Sequence, residues 1–545
     1  MEHRIDRPGQ DFLRGAFNLS VATAAVKVIG ALYKIPIQNM LSDAGNGHFK
    51  SAYNVYAALL ILATAGLPAA VSKMVSEAET SRSGETAAIY GIARAIFMVI
   101  GTAGALAMLL GADVIAAALN NPAAAWGIRA IAPAVFFAGM MAPLRGLFQG
   151  RGDMVPTAIS QVLESAGKFI FGTGLTFFVM NVIMPWDISG GNTEARDIFG
   201  AAAAILGVSA GMMLAAFYLV NRKRKLGTGG LSALPGKTPR RRRAIAKELM
   251  LLAVPITLGS AMLSVTNLID DSLVRARLLD GAGFAPEAVD GYMGMYSYAS
   301  TLYNLPSAFV LTLAVSLLPA IAAYRVKRDK QGVVRTVHSS LRVSMLIGMP
   351  AGAGFFCLAD PILRLLYPGK PDAVAVAAPL LSTLGIAVVF FSIVTVTNAI
   401  LQSLGMVTVP IVTMAIGSVF KIVCTLILVG NPAIHIKGAP IGTVICFAVV
   451  AALNLGVIIR VSGTGIRLLG ELVRPLAAAA GMGFVSYGCY LIFEKLAGAR
   501  IGCVLAILAG GFSYLVLIIL LKALPPEDLK LLPKGDKIAK FLRIS

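Results

Sequence analysis

The chain has 545 residues, 57% of them hydrophobic and 14% charged, with 47 Lys and Arg against 27 Asp and Glu and a formal charge of +20. Mean hydropathy is +0.79. A water-soluble enzyme or nucleic-acid binder of this length interleaves polar faces with apolar ones, so this composition excludes that class and makes the lipid bilayer the solvent.

Apolar stretches long enough to cross a hydrocarbon core of roughly 30 Å as helices follow one another along the chain. About fourteen spans are predicted, at 12–40, 49–76, 87–111, 125–148, 156–184, 199–221, 248–274, 291–323, 336–357, 375–400, 407–430, 438–459, 472–493 and 501–522. Backbone groups in lipid must satisfy one another, and the stretches lack the alternation of a barrel, so the expected fold is an all-α polytopic membrane protein.

The basic residues segregate by loop parity. The amino-terminal tail, the loop after span six (Arg222 to Lys225 and Arg240 to Arg243), the loop after span eight and the carboxy-terminal tail hold most of them, with Arg145 and Arg151 counted in the loop after span four. By the positive-inside rule both termini are cytoplasmic, which an even number of crossings satisfies. The charge is therefore a topology signal, and no nucleic-acid partner is expected. Arg240 to Arg243 also suit contact with anionic lipid headgroups. The first span is too long for a signal-peptide core and is expected to stay in the protein.

The chain repeats itself at an offset of about 250 residues. Ala112-Asp113-Val114-Ile115 recurs as Ala359-Asp360-Pro361-Ile362, and Val135-Phe136-Phe137 as Val389-Phe390-Phe391. Leu147-Phe148-Gln149-Gly150-Arg151-Gly152 before Pro156 recurs as Leu401-Gln402-Ser403-Leu404-Gly405 before Pro410, Lys168 matches Lys421, and Gly66-Leu67-Pro68-Ala69 matches Leu317-Leu318-Pro319-Ala320. Two parallel, pseudo-symmetric six-helix lobes are expected, an architecture of secondary transporters whose pathway runs between the halves. The predicted segments are an N-terminal lobe (1–222), a basic cytoplasmic linker (223–247), a C-terminal lobe (248–461), two additional spans (462–522) and a cytoplasmic tail (523–545).

Ionisable side chains at bilayer depth cost several kcal/mol and persist where they line water, pair or contact substrate. Lys27 sits mid-span in span one, Lys34 toward its outer end, Lys168 in span five and Lys421 in span eleven. Asp270 and Asp271 lie in the outer part of span seven, with Arg275 one turn on. Glu164 and Lys168 share one helical face, either as a self-neutralising pair or as part of a site. Lys421 and Lys27 have no acidic residue at i±3 or i±4, so their charges are met from another helix, by water or by a ligand anion; a long lysine near a span's end also reaches the interface by snorkelling. Asp270 and Asp271, with Asn267 and Thr266, offer oxygens suited to a monovalent cation or a proton relay. The alternative is an interfacial helix end with Asp271 and Arg275 paired at i,i+4. Substrate contact is assigned to Lys27, Lys34, Lys168, Lys421 and Arg275, and coupling or gating to Glu164, Asn267, Asp270 and Asp271. Pro68, Pro255, Pro306, Pro319 and Pro350 mark spans able to kink or break.

No enzyme is expected. Gly236-Lys237-Thr238 lacks the glycine spacing and strand-helix context of a phosphate loop. Four histidines (His3, His48, His338, His435) show no metal spacing, and five cysteines show no C-x-x-C pair. Neither a metal nor a cofactor is expected; the sequence shows no ATPase module, so uphill movement would draw on an ion gradient or membrane potential.

The segment from Arg145 to Glu164, reading Arg-Gly-Leu-Phe-Gln-Gly-Arg-Gly-Asp-Met-Val-Pro-Thr-Ala-Ile-Ser-Gln-Val-Leu-Glu, resembles the loop and fifth helix of stage V sporulation protein B-like polysaccharide transporters. Leu305-Pro306 followed by Leu317-Leu318-Pro319-Ala320 resembles the eighth helix of the related lipid II flippases. Both lie in the multidrug, oligosaccharidyl-lipid and polysaccharide exporter superfamily. The resemblance covers nearly the whole chain and implies a plasma-membrane flippase working by alternating access. It further implies a cationic cavity for the pyrophosphate and sugars of an undecaprenyl-linked peptidoglycan or polysaccharide precursor, in growth or sporulation. Lipid II flippases use arginines in helices one, two and eight, whereas span one here offers Lys27, Tyr33 and Lys34, and the interiors of spans two and eight hold no arginine. Some place sodium on helices seven, eleven and twelve, where this chain has Lys421 in span eleven; proton and sodium both remain open as coupling ions. A monomer is expected. The alternative is an ion-coupled exporter of drugs or small cations, which needs acidic residues in its cavity.

Overall fold

The computed structural model describes residues 26, 29–30, 32–64, 66–81, 84–184, 193–225, 242–326, 329–462 and 467–523. Lys27, most of the 12–40 span, most of the basic linker and nearly all of the carboxy-terminal tail lie outside them. Among the described residues every regular element is helical. Ten of these helices are long and apolar enough to cross a membrane, making this a multi-pass membrane protein.

The elements are α1 (32–40), α2 (Asp43–Thr64), α3 (Leu67–Thr80), α4 (Thr86–Leu110), α5 (Ala112–Ala118), α6 (Ala125–Gly150), α7 (Val155–Phe178), α8 (Thr193–Lys225), α9 (Arg242–Ala276), α10 (Pro286–Val326), α11 (Lys330–Leu366), α12 (Pro371–Ser403), α13 (Thr408–Leu428), α14 (Gly438–Ser462), α15 (Arg467–Ala497) and α16 (Ala499–Leu520). The predicted 49–76 span is broken between α2 and α3. Gly66 there lies so close to the backbone carbonyl of Ala253 that no side chain fits, its N–H takes Thr257 Oγ1 at 3.2 Å, and Pro68 occupies the first turn of the new helix. Proline is tolerated there because the first N–H groups of a helix have no internal partner.

The chain forms two compact units, 1–276 with 285–294, and 277–284 with 295–545, so the boundary between them falls inside α10. In the first unit α7 packs on α8, and α6 on both α4 and α8, while α2 and α3 pack on α6 and α9. Its core includes Tyr33, Phe49, Tyr56, Phe97 and Phe148, all nearly free of solvent contact. In the second unit α11 packs on α12, α13 on α14, and α12 on α14. The α15–α16 hairpin lies against α11, where Tyr514 Oη donates to the Leu346 carbonyl at 2.9 Å and Tyr490 and Cys503 pack on Leu358.

The repeated sequence marks have a common conformational cause. In the first unit Gly152 at φ +79 ends α6: its N–H reaches Gln149 O at 3.0 Å and the Asp153 N–H reaches Phe148 O at 3.0 Å. In the second unit Gly405 at φ +80 ends α12: its N–H reaches Gln402 O at 2.9 Å and the Met406 N–H reaches Leu401 O at 2.9 Å. Both are the helix stop in which a left-handed residue returns two N–H groups to the last turn, and glycine adopts that conformation without a Cβ clash. The Ala112 and Ala359 repeats also coincide with breaks. α4 gives way to α5 at Gly111, and α11 kinks at Leu358, three residues before Pro361, which has no N–H to continue the ladder.

Candidate functional site

The α6–α7 turn sets the register that builds a charged cluster in the first unit. Asp153 Oδ1 accepts the Val155 N–H at 3.2 Å and starts α7, whose next turns bring Ser160, Glu164 and Lys168 along one face. Arg145, counted in a loop from the sequence, lies instead within α6 because the helix runs on to Gly150. Its Nε donates to Ser160 Oγ at 3.1 Å and its Nη2 to Glu164 Oε2 at 3.0 Å. Lys168 Nζ donates to the other carboxylate oxygen, Oε1, at 2.6 Å. One carboxylate thus bridges an ammonium and a guanidinium, and the cluster keeps one positive charge in excess. Each side chain retains some exposure, 19% for Arg145, 13% for Glu164 and 12% for Lys168.

Small residues hold this face in place. Gly211 of α8 sits where a Cβ would meet Glu164 O at 2.6 Å and Lys168 Cγ at 3.1 Å, and Gly167 faces it backbone to backbone. Gly207 approaches Gly172 in the same way one turn along. This is the small-residue seam that lets membrane helices approach closely where apolar side chains gain nothing by leaving lipid.

Aromatic residues of α1 and α2 complete the surroundings. Tyr33 Oη donates to the Ala204 carbonyl of α8 at 3.1 Å with its ring against Gly172. The neighbouring Lys34 places its ammonium 4.4 Å from the centre of the Tyr53 ring, a cation–π contact. Tyr53 and Tyr56 lie within electrostatic range of Lys168, as does Lys34. The structure therefore brings Lys34, Glu164 and Lys168 together and adds Arg145, Tyr53 and Tyr56.

The acidic pair in α9 belongs to a separate network in the same unit. Asp271 does not pair with Arg275. Its Oδ1 takes Lys50 Nζ at 2.9 Å and its Oδ2 accepts from Ser51 Oγ at 3.4 Å. Arg275 binds Asp290 at the start of α10 through Nη1, and its Nε and Nη2 make no hydrogen bond among the described residues. Asn121 donates to Ser51 Oγ at 3.2 Å and lies 3.0 Å from His48 Nδ1, while His48 Nε2 is 3.9 Å from Asp290. Local i,i+4 pairing loses because two partners from other helices reach the same buried place. Asp270 is buried beside this network and Asn267 is exposed.

Lys421 lies in the second unit, 7% exposed, on the face of α13 turned toward α14. Gly442 of α14 would carry a Cβ 3.6 Å from Lys421 Cγ, and Gly417 meets Cys446 and Val450 one turn earlier. On the same face Thr413 Oγ1 donates to Asn454 Oδ1 at 2.8 Å, and Asn454 Nδ2 donates to Thr397 Oγ1 at 3.1 Å and Asn398 Oδ1 at 2.8 Å. Lys168 and Lys421 occupy the same position counted from the starts of α7 and α13, each beside a glycine of the following long helix. Among the described residues no group of His, Cys, Asp and Glu is arranged to hold a metal ion.

The chain resembles proteins of known name over nearly its full length. It is 27% identical to the uncharacterized membrane protein YabM of Bacillus subtilis (strain 168), covering 97% of this chain and 96% of that one. It is 26% identical to the lipid II flippase MurJ of the same organism, over 92% and 94%, and 24% identical to its stage V sporulation protein B, over 96% and 98%. Among solved structures, the lipid II flippase MurJ in an inward closed conformation superposes with a TM-score of 0.66 at 15% identity, covering 92% of this chain and 97% of that one. An inward-facing multidrug resistance MATE family transporter superposes with a TM-score of 0.65 at 16% identity, over 82% and 98%. The MatE family matches residues 289–427. The family described as "Polysaccharide biosynthesis protein" matches residues 12–325, more than half of the chain, and the chain belongs to that family.

Proposed function

We propose that the chain is a flippase that carries an undecaprenyl-pyrophosphate-linked envelope precursor, lipid II or a polysaccharide repeat unit, from the inner to the outer leaflet by alternating access. The observation that carries this reading is the Lys168–Glu164–Arg145 cluster with Lys34 nearby, a net cationic and aromatic surface inside a membrane helix bundle. A diphosphate takes charge-assisted hydrogen bonds of this kind, and tyrosine rings suit sugar faces. The names of the relatives, a lipid II flippase and a sporulation protein, agree with it. The segregation of Lys and Arg supports cytoplasmic termini in the plasma membrane. A monomer coupled to a proton gradient, a sodium gradient or the membrane potential fits this reading.

The test is reconstitution in vesicles with a labelled lipid-linked precursor and a leaflet-specific probe. Protein-dependent exposure of precursors with a diphosphate, without comparable movement of lipids lacking it, is the expected result. Uniform movement of both, or none, would reject the proposal.

A second reading, an ion-coupled exporter of drugs or small cations, draws on the MatE match and the MATE fold similarity. It needs a carboxylate available to a cation. Glu164 is held between two cations and Asp271 by Lys50, which weighs against it. Saturable binding of a lipophilic cation, lost on Glu164→Gln, would favour this second reading.

A further inference from the structure

The Glu164 carboxylate is held as a phosphate would be held. Its two oxygens accept separately from Lys168 at 2.6 Å and Arg145 at 3.0 Å, with Ser160 Oγ on the same guanidinium at 3.1 Å. Close to this cluster is a donor without a use. Tyr56 is 1% exposed, its hydroxyl makes no hydrogen bond among the described residues, and Lys168, Glu164 and Arg145 all lie within its electrostatic range. A buried hydroxyl left without a partner keeps its full desolvation penalty, so an arrangement that satisfies it has a thermodynamic advantage.

We propose that Glu164 is an internal stand-in for the cargo's phosphate, bridging Lys168 and Arg145 in the empty carrier and yielding those donors, together with the Tyr56 hydroxyl, to the incoming diphosphate. This inference rests on the flippase reading above. The competition it describes has two consequences. Without cargo, the two cations are neutralised enough to stay folded in a medium that penalises bare charge. With cargo, the displaced carboxylate repels the diphosphate and limits its affinity, so that the lipid is released in the other leaflet. A carrier that bound its cargo as tightly as two unopposed cations allow would stall with the cargo on board.

The test uses the full chain in nanodiscs, with undecaprenyl diphosphate as the probe and undecaprenol, which has no phosphate, as the control. Glu164→Gln keeps the shape and removes the competing charge. It is expected to lower the Kd for undecaprenyl diphosphate about tenfold or more, leave undecaprenol unchanged, and slow flipping. Removing the carboxylate also brings two cations face to face, so a second pair of variants covers the case in which the single variant is unstable. Arg145→Gln leaves Lys168 tied to Glu164 and is expected to weaken diphosphate binding; adding Glu164→Gln to it is expected to restore binding toward the wild-type value. A purely structural role for Glu164 predicts no such rescue. If the wild type binds the diphosphate in preference to undecaprenol but Glu164→Gln is no tighter, or in its place the double variant shows no rescue, this inference is overturned and the flippase reading stands. If the wild type shows no preference for the diphosphate, both are overturned.

Discussion

Lys50 closes on Asp271 across 2.9 Å and joins the first turns of α2 to the last turns of α9, 221 positions apart in the chain. With side chains 13% and 4% exposed, the pair is largely withdrawn from water. Removing one partner from a buried pair leaves an uncompensated charge and costs about 3–5 kcal/mol, whereas replacing both with apolar residues is often neutral. Lys50→Met and Asp271→Leu are each expected to lower the unfolding temperature in detergent substantially, and the double variant to recover most of the loss. A double variant no better than the worse single one would mean that Lys50 and Asp271 do not act as a pair.

The same pair shows where residue patterns were informative and where they were not. Membrane spans were legible because lipid imposes a composition on every crossing, and the Glu164–Lys168 contact because it is local to one helical face. Arg145 is counted with the loop after span four although that span is drawn to residue 148, and the helix continues to Gly150 before the turn starts. Its partnership with Glu164 then depends on the angle at which α7 leaves that turn, which no local spacing encodes. For Asp271 and Arg275 the i,i+4 rule named an available pair, and packing supplied Lys50 and Asp290 in its place. Tyr56 had no sequence signal at all, since an aromatic residue in an apolar span is ordinarily core.

The α7–α8 seam provides a prediction that separates positioning from chemistry. A methyl group at Gly211 would come within 2.6 Å of Glu164 O and 2.7 Å of Lys168 N, both atoms of the α7 backbone, so α7 would have to move rather than a side chain turn. Gly211→Ala is expected to destabilise the protein by about 1–3 kcal/mol, the usual cost of overpacking, and to weaken diphosphate-lipid binding by shifting Lys168. Gly174, on α7, has open space among the described residues where its Cβ would be, so Gly174→Ala is the control across the same helix pair and is expected to be neutral or slightly stabilising. Thermal unfolding and lipid binding of the two variants side by side check both expectations.

Gly152 and Gly405 are expected to be sensitive for a different reason. Both sit at positive φ, +79 and +80, and among the described residues no atom lies near the place of a Cβ at Gly152, so the penalty there is conformational and not a clash. Gly152→Ala should cost about 1–2 kcal/mol, the left-handed penalty for an L-residue. Gly152→Asn should cost less, because asparagine tolerates that region. Because the Gly152 turn also aims α7 at Arg145, flipping should fall further in Gly152→Ala than its stability loss explains. Equal losses in stability and flipping for Gly152→Ala and Gly152→Asn would show that backbone strain is not the cause.

Lys421 and Lys168 occupy equivalent places in the two halves, but their surroundings differ: Lys168 shares a carboxylate with Arg145, and Lys421 is buried in a seam of glycine, threonine and asparagine. If both contact the cargo, each contributes a charge-assisted hydrogen bond of about 1.5–3 kcal/mol, which is roughly a tenfold to hundredfold effect on binding. Lys421→Gln and Lys168→Gln should therefore each reduce flipping in the leaflet-accessibility assay to that degree while the proteins remain monodisperse and thermally stable. The losses should differ in their salt and pH behaviour, since Lys168→Gln also leaves Arg145 and Glu164 as an exclusive pair. Unchanged flipping in Lys421→Gln would remove Lys421 from the site and confine cargo recognition to the Lys34, Arg145 and Lys168 group, in which case the lysine serves packing in α13 and binding in α7.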